Sequence, residues 1–225
     1  MLRPRQPNPR PTRSCGRFRL LPQLSPTERR HLRRWIRQLP PTVAERLPRL
    51  RVRSAGEIVR VGQRVVFDTS VKAQGADRTA QAVSYINTRL VVLRRRLFRQ
   101  HRLGQRLFYH ELCHFLWPRL GTPRRRAFDR ALRRELRAGV RGELGYTAAL
   151  CKQALGRRRS GAPWREYVCE SFCDTGAYAL LRATGVAGRA RSVEFTLGRR
   201  QRAARLRQWT RLLLPESPAA REFGL

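Results

Sequence analysis

A chain of 225 residues with 41% hydrophobic side chains can close one sizeable core, which excludes a wholly disordered polymer. Its formal net charge of +35 comes almost entirely from arginine, since Lys72 and Lys152 are the only lysines. No apolar run reaches membrane-span length, and five cysteines, an odd number, do not outline a disulfide scaffold.

Residues 1–24, rich in Pro and Arg, are predicted to form a disordered basic tail. Ser25-Pro26-Thr27-Glu28 then reads as an N-cap, a proline at the first helical position and a capping-box glutamate. The helix it opens, near 26–38, carries Leu32, Trp35, Ile36 and Leu39 on one face and stops at Pro40-Pro41. A further helical turn is expected around 42–47. Beyond it the pattern becomes β-branched: Val52, Ile58 to Val61 and Val65 to Phe67 read as short strands divided by Gly56 and Gly62. Residues 82–94 read as one longer strand, with Ile86, Thr88, Leu90 and Val92 on one face and Tyr85, Asn87, Arg89 and Val91 on the other.

After Gly104 the chain reads as helical nearly to its end. Helices are predicted near 104–117, stopped by Pro118, and from Thr122-Pro123 to about 138. A short one runs from Thr147 to Gly156, a long one from Pro163 to Gly185. The last is capped by Thr196 and carries Leu206, Trp209 and Leu213 on one side. The expected fold class is α+β: a small, mostly antiparallel sheet of about three to four strands, followed by a mainly helical bundle.

The chemistry concentrates on two of these helices. His110-Glu111-Leu112-Cys113-His114 spells H-E-x-x-H in a chain with only four histidines. Residues four apart on a helix stand one above the other, so His110 and His114 can share one metal ion with Glu111 beside it to handle protons. Phe108, Leu112, Phe115 and Leu116 fall on the opposite, apolar face. A catalytic zinc takes three protein ligands and keeps one position open, so a third donor must come from elsewhere. Glu170, in Cys169-Glu170-Ser171-Phe172-Cys173-Asp174, can supply it. Asp174, one turn on, can accept a hydrogen bond from the far ring nitrogen of a ligand histidine and fix its tautomer. Cys113, Cys169 and Cys173 are expected to be small buried packing groups.

The pair of motifs, H-E-L-C-H followed by E-S-F-C-D, resembles the gluzincin type of zinc metallopeptidase in its small, minimal versions. The resemblance covers roughly residues 80 to 180. It implies Zn2+ held by His110, His114 and Glu170, with Glu111 as general base and Asp174 orienting a ligand histidine. It also implies an active-site helix and a glutamate helix crossing beneath an edge strand, here 84–93, that receives an extended peptide or protein substrate. With no histidine left downstream, stabilising the developing oxyanion falls to a tyrosine, and Tyr178, Tyr146 and Tyr167 are the candidates. The chain then divides into the tail (1–24), a helical N-terminal segment (25–48), a metallopeptidase-like domain (49–185) and a C-terminal helix and tail (186–225).

The charge supports a different class of function. Arginine excess favours polyanions, so non-specific nucleic-acid binding is expected at low salt. A nucleic-acid-associated or partner-binding protein with a structural or catalytically silent zinc site is therefore the alternative to an enzyme. Steep salt dependence would mark the first, and chelator sensitivity the second. Because Arg is spread from Arg3 to Arg221, codon bias also accounts for much of it. The N-terminus is broken by proline and lacks an apolar stretch, and unpaired thiols suit a reducing compartment, so a cytoplasmic location is expected and no membrane partner.

Overall fold

The computed structural model describes residues 16–61, 64–67, 78–156, 158–185 and 196–213. It is α+β, with a four-stranded sheet followed by a helical bundle. The first strand, β1 (Phe18–Leu20), lies within the segment expected to be a disordered tail, and Phe18 is buried. Residues 1–15 lie outside the described residues. Helix α1 (Pro26–Arg37) opens on the capping box read from the sequence. The Ser25 side chain accepts from the Glu28 N–H, and the Glu28 carboxylate accepts from the Ser25 N–H at 2.7 Å. Leu32, Trp35 and Ile36 face inward, each burial stabilising the fold by roughly 1.5–3 kcal/mol. A single turn, α2 (Pro41–Ala44), leads into β2 (Leu50–Ala55).

The sheet departs from the expected antiparallel pattern. Strand order is β1-β2-β7-β6, where β6 is Ala82–Tyr85 and β7 is Leu90–Arg94. Strand β1 runs parallel to β2, and β2 parallel to β7; only β6 and β7 are antiparallel. For β1 and β2 the cause is connectivity: α1 lies between them and carries the chain back across the sheet, and such a crossover delivers the next strand parallel to the last. Strands β3 (Ile58–Val61), β4 (Arg64–Phe67) and β5 (Arg78–Thr79) form a separate antiparallel sheet, in the order β4-β3-β5. The single long strand expected over 82–94 is instead a hairpin. It folds back through residues 86–89, where Arg89 takes φ 51° and its N–H donates to the Ile86 carbonyl. This turn exposes Ile86, which an unbroken strand would have carried into a face of the sheet.

Helix α3 (His101–Leu116) begins a turn earlier than the sequence suggests, and α4 (Gly121–Arg137), α5 (Tyr146–Leu155) and α6 (Gly161–Ala183) follow in the expected order. The last helix, α7, runs Arg199–Leu213. Thr196 does not cap it. Its hydroxyl accepts from the Glu143 N–H at 2.9 Å, while its own N–H donates to the Glu143 carbonyl, which ties the approach to α7 onto the approach to α5. One apolar cluster runs from Phe18 and Trp35 through Phe108 and Phe172 to Trp209, so side chains from the N-terminal, sheet and C-terminal segments share a core. No described helix is long and apolar enough to cross a membrane.

Two features bring α3 and α6 together. Gly176 on α6 leaves room for Cys113: a Cβ there would lie 2.4 Å from the Cys113 sulfur and 2.8 Å from the Trp209 ring nitrogen. Behind α6, an ionic network clamps the bundle. Arg205 of α7 is 1% exposed and donates to both oxygens of Glu135 and to Glu143, while Tyr167 and Lys152 also donate toward Glu143. Burial opposes the charge on Glu143, but Arg205 and Lys152 outweigh it and hold its pKa below the ordinary carboxylate value.

Candidate metal centre

Helix α3 presents His110 and His114 to α6, and the two imidazoles meet there. Their Nε2 atoms lie 3.2 Å apart. Glu170 of α6 completes a triangle: its Oε2 is 3.2 Å from His110 Nε2 and its Oε1 is 3.6 Å from His114 Nε2. Atoms bound to one zinc at 2.0–2.1 Å with tetrahedral angles sit about 3.3–3.4 Å from each other. The three donors predicted from sequence therefore stand at the separations a shared cation requires.

The chemistry of each donor fits the same occupant. Asp174 Oδ1 lies 2.8 Å from His110 Nδ1, and a carboxylate accepts, so Nδ1 carries a proton and Nε2 is the nitrogen that a metal would take once it displaces the second proton. Glu170 Oε2 is buried, and with no proton on His110 Nε2, 3.2 Å away, it has no hydrogen-bond donor. Leaving an acceptor oxygen buried and unpaired costs on the order of 1–3 kcal/mol, which a bound cation would offset. Burial opposes a charge on His110, yet Asp174, Glu170 and Glu111 raise its pKa well above 6.5. The pocket attracts positive charge, whether carried by a proton or by a metal ion.

Asp174 is itself held from a second side. Its Oδ2 accepts from the Ala148 N–H at 3.2 Å, so it caps the first turn of α5, whose own Gly145 offers no side chain for that purpose. Gly145 packs its α-carbon so closely on this carboxylate that a Cβ would lie 2.1 Å from Asp174 Cγ. Two substitutions test this arrangement. Asp174→Asn, which no longer holds His110 by a charged acceptor, should weaken zinc affinity about 10–100-fold by competition with a chromogenic chelator. Gly145→Ala, which displaces the same carboxylate without altering any donor, should weaken it in the same direction. Unchanged affinity in both would remove Asp174 from the site.

Sequence reasoning missed the partner of the second histidine. Cys169 Sγ lies 3.7 Å from His114 Nδ1, the position relative to His114 that Asp174 holds relative to His110. A hydrogen bond from Cys173 and the contact with His114 draw the Cys169 pKa down to about 6 against the effect of burial. The only available signal was spacing: Cys169, Glu170, Cys173 and Asp174 all fall on one helical face, whereas free cysteine by default reads as a small hydrophobe. Cys173 also approaches the cluster, with its sulfur, His110 and His114 donor atoms all within 4.8 Å. Burial and its bond to Cys169 keep the Cys173 thiol protonated. Cys113 is buried at the α3–α6 contact, as a packing residue would be.

Glu111 is 6% exposed and makes no hydrogen bond or ion pair with any described residue, although its charge acts on both histidines. Tyr178 is buried on α6, eight residues past Glu170 and so about 12 Å farther along the axis. Tyr146 is 63% exposed at the start of α5, and Tyr167 is engaged with Glu143, away from the histidines. Strand β6 is the edge of the four-stranded sheet and packs on α3, so the edge beside the site is 82–85 rather than 84–93. No family model matches the chain, and no curated protein or solved structure is significantly similar to it.

Proposed function

We propose that the chain is a zinc-dependent metallopeptidase, with His110, His114 and Glu170 as ligands and Glu111 as general base. The observation that carries this reading is the convergence of two imidazole nitrogens and one buried carboxylate, at separations of 3.2, 3.2 and 3.6 Å. The likeness of the two motifs to minimal gluzincins supports it independently. Zn2+ held there would supply Lewis acidity, polarising a peptide carbonyl and making water acidic near neutral pH.

The remaining chemistry belongs to the protein. Asp174 and Cys169 keep the two imidazoles in the metal-binding tautomer. The buried Glu111 carboxylate, whose charge acts on both histidines, takes a proton from the attacking water and returns it to the leaving amine. The outer edge of β6, which pairs with no described strand, offers backbone N–H and C=O groups to an extended peptide or protein substrate. A reducing cytoplasmic setting is part of the same proposal, because Cys169 acts here unoxidised, as a thiolate facing His114.

The test is hydrolysis of a peptide library by the purified chain, lost on chelation and restored by Zn2+. Undiminished cleavage in excess chelator would defeat the proposal. The choice of third ligand is separable. Glu170→Gln should abolish stoichiometric zinc, whereas Cys173→Ala should retain it; the reverse pattern would hand that position to the thiol.

A further inference from the structure

We propose that the cavity between α1 and the start of α3 is a binding site for a phosphate group, separate from the metal centre. This cavity, of about 570 Å³, is lined by His31, Arg34 and Trp35 from one helix and by His101, Arg102 and Gln105 from the other. That volume lies in the range of about 300–1,000 Å³ usual for small-molecule sites, so it holds a phosphate together with part of whatever carries it.

The charge around this cavity is unbalanced. His31 and His101 are in ring contact, with centroids 4.2 Å apart, and two guanidinium groups line the same space. No acidic side chain lines it. Glu28, the one acid on α1, is turned inward to Ser25 and Ser54. Burial, and then the positive fields of His101, Arg30 and Arg34, lower the His31 pKa below its ordinary 6.5. Arg30 and Arg34 have no ion-pair partner among the described residues, unlike Arg133 and Arg205 in the bundle. The first turn of α3 adds backbone donors, since no side chain caps it and the N–H of Gly104 is the first to find an intrahelical carbonyl.

Two adjacent imidazoles could in other surroundings hold a metal. Here Arg34 and Arg102 line the cavity and Arg30 flanks it, so a second cation would meet only repulsion. A phosphate instead meets bidentate guanidinium donors, which suit its geometry. The same group could arrive as a free ion or on a nucleic-acid strand, and the experiment separates these sources.

The test uses the full zinc-loaded chain, whose four histidines give few and resolvable imidazole resonances in carbon–proton correlation spectra. Inorganic phosphate is titrated at constant ionic strength against chloride. The resonances of His31 and His101 should shift saturably while those of His110 and His114 stay fixed. Arg34→Ala and Arg102→Ala, both at exposed positions, should each weaken binding by about tenfold. A short single-stranded oligonucleotide that displaces phosphate identifies the strand as the carrier; binding of phosphate without displacement identifies the free ion. No shift, the same shift with chloride, or saturation of this pair by added Zn2+ would each overturn the proposal. None of these readouts depends on peptide hydrolysis.

Discussion

Glu111→Gln should leave one zinc per chain and lower peptide hydrolysis by at least about 10²–10⁴-fold, the usual contribution of a positioned general base. The amide keeps the size and shape of the carboxylate but cannot accept a proton at neutral pH. Its metal content should survive because Glu111 contributes no atom to the triangle of His110, His114 and Glu170. The fold should survive because no described residue depends on Glu111 for a hydrogen bond, so the substitution strands no buried partner. Metal analysis beside kcat on one peptide decides the matter. Activity within about threefold of the unmodified chain, with zinc intact, would leave the base unassigned.

The largest stability effect should come from Arg205, far from any donor atom. Arg205→Ala is expected to cost about 3–5 kcal/mol in urea unfolding, the usual result of deleting one member of a buried ionic group. The reason is what it leaves behind: Glu143, 1% exposed, would keep its charge or its proton with Lys152 and Tyr167 as its remaining partners. By comparison, Arg30→Ala on exposed α1 should change stability by no more than about 0.5 kcal/mol. The sign of the pH effect follows from the lowered Glu143 pKa. Its contribution is fully present above about pH 4.5 and is lost as pH falls through the folded-state value, so removing Arg205 should flatten that acid slope. A loss below about 1 kcal/mol would mean the network is replaceable by solvent.

Local signals in the sequence were reliable where a few neighbouring residues decide the outcome. Ser25 to Glu28 specified the start of α1, and the spacing of His110, His114, Glu170 and Asp174 identified side chains that converge in space. What escaped depended on partners distant in the chain. Alternation over 82–94 looked continuous because a turn at 86–89 needs only one residue, Arg89, in a left-handed conformation, and no glycine marks it. Parallel pairing of β1 with β2 follows from the α1 crossover between them rather than from any residue in the strands. Likewise no local pattern marks Glu143 and Arg205 among 50 basic residues and 15 acids, and only tertiary packing buries them. Cys169 stayed hidden because its role is relational, defined by the ring nitrogen it faces.

Asp174 spends its two oxygens on two different masters, one a ligand histidine and the other the leading turn of α5. Occupancy of the cation site is thereby wired to the order of a helix that supplies no donor. Stripping the ion would register as faster amide exchange around Ala148, a mechanical echo of an event next door.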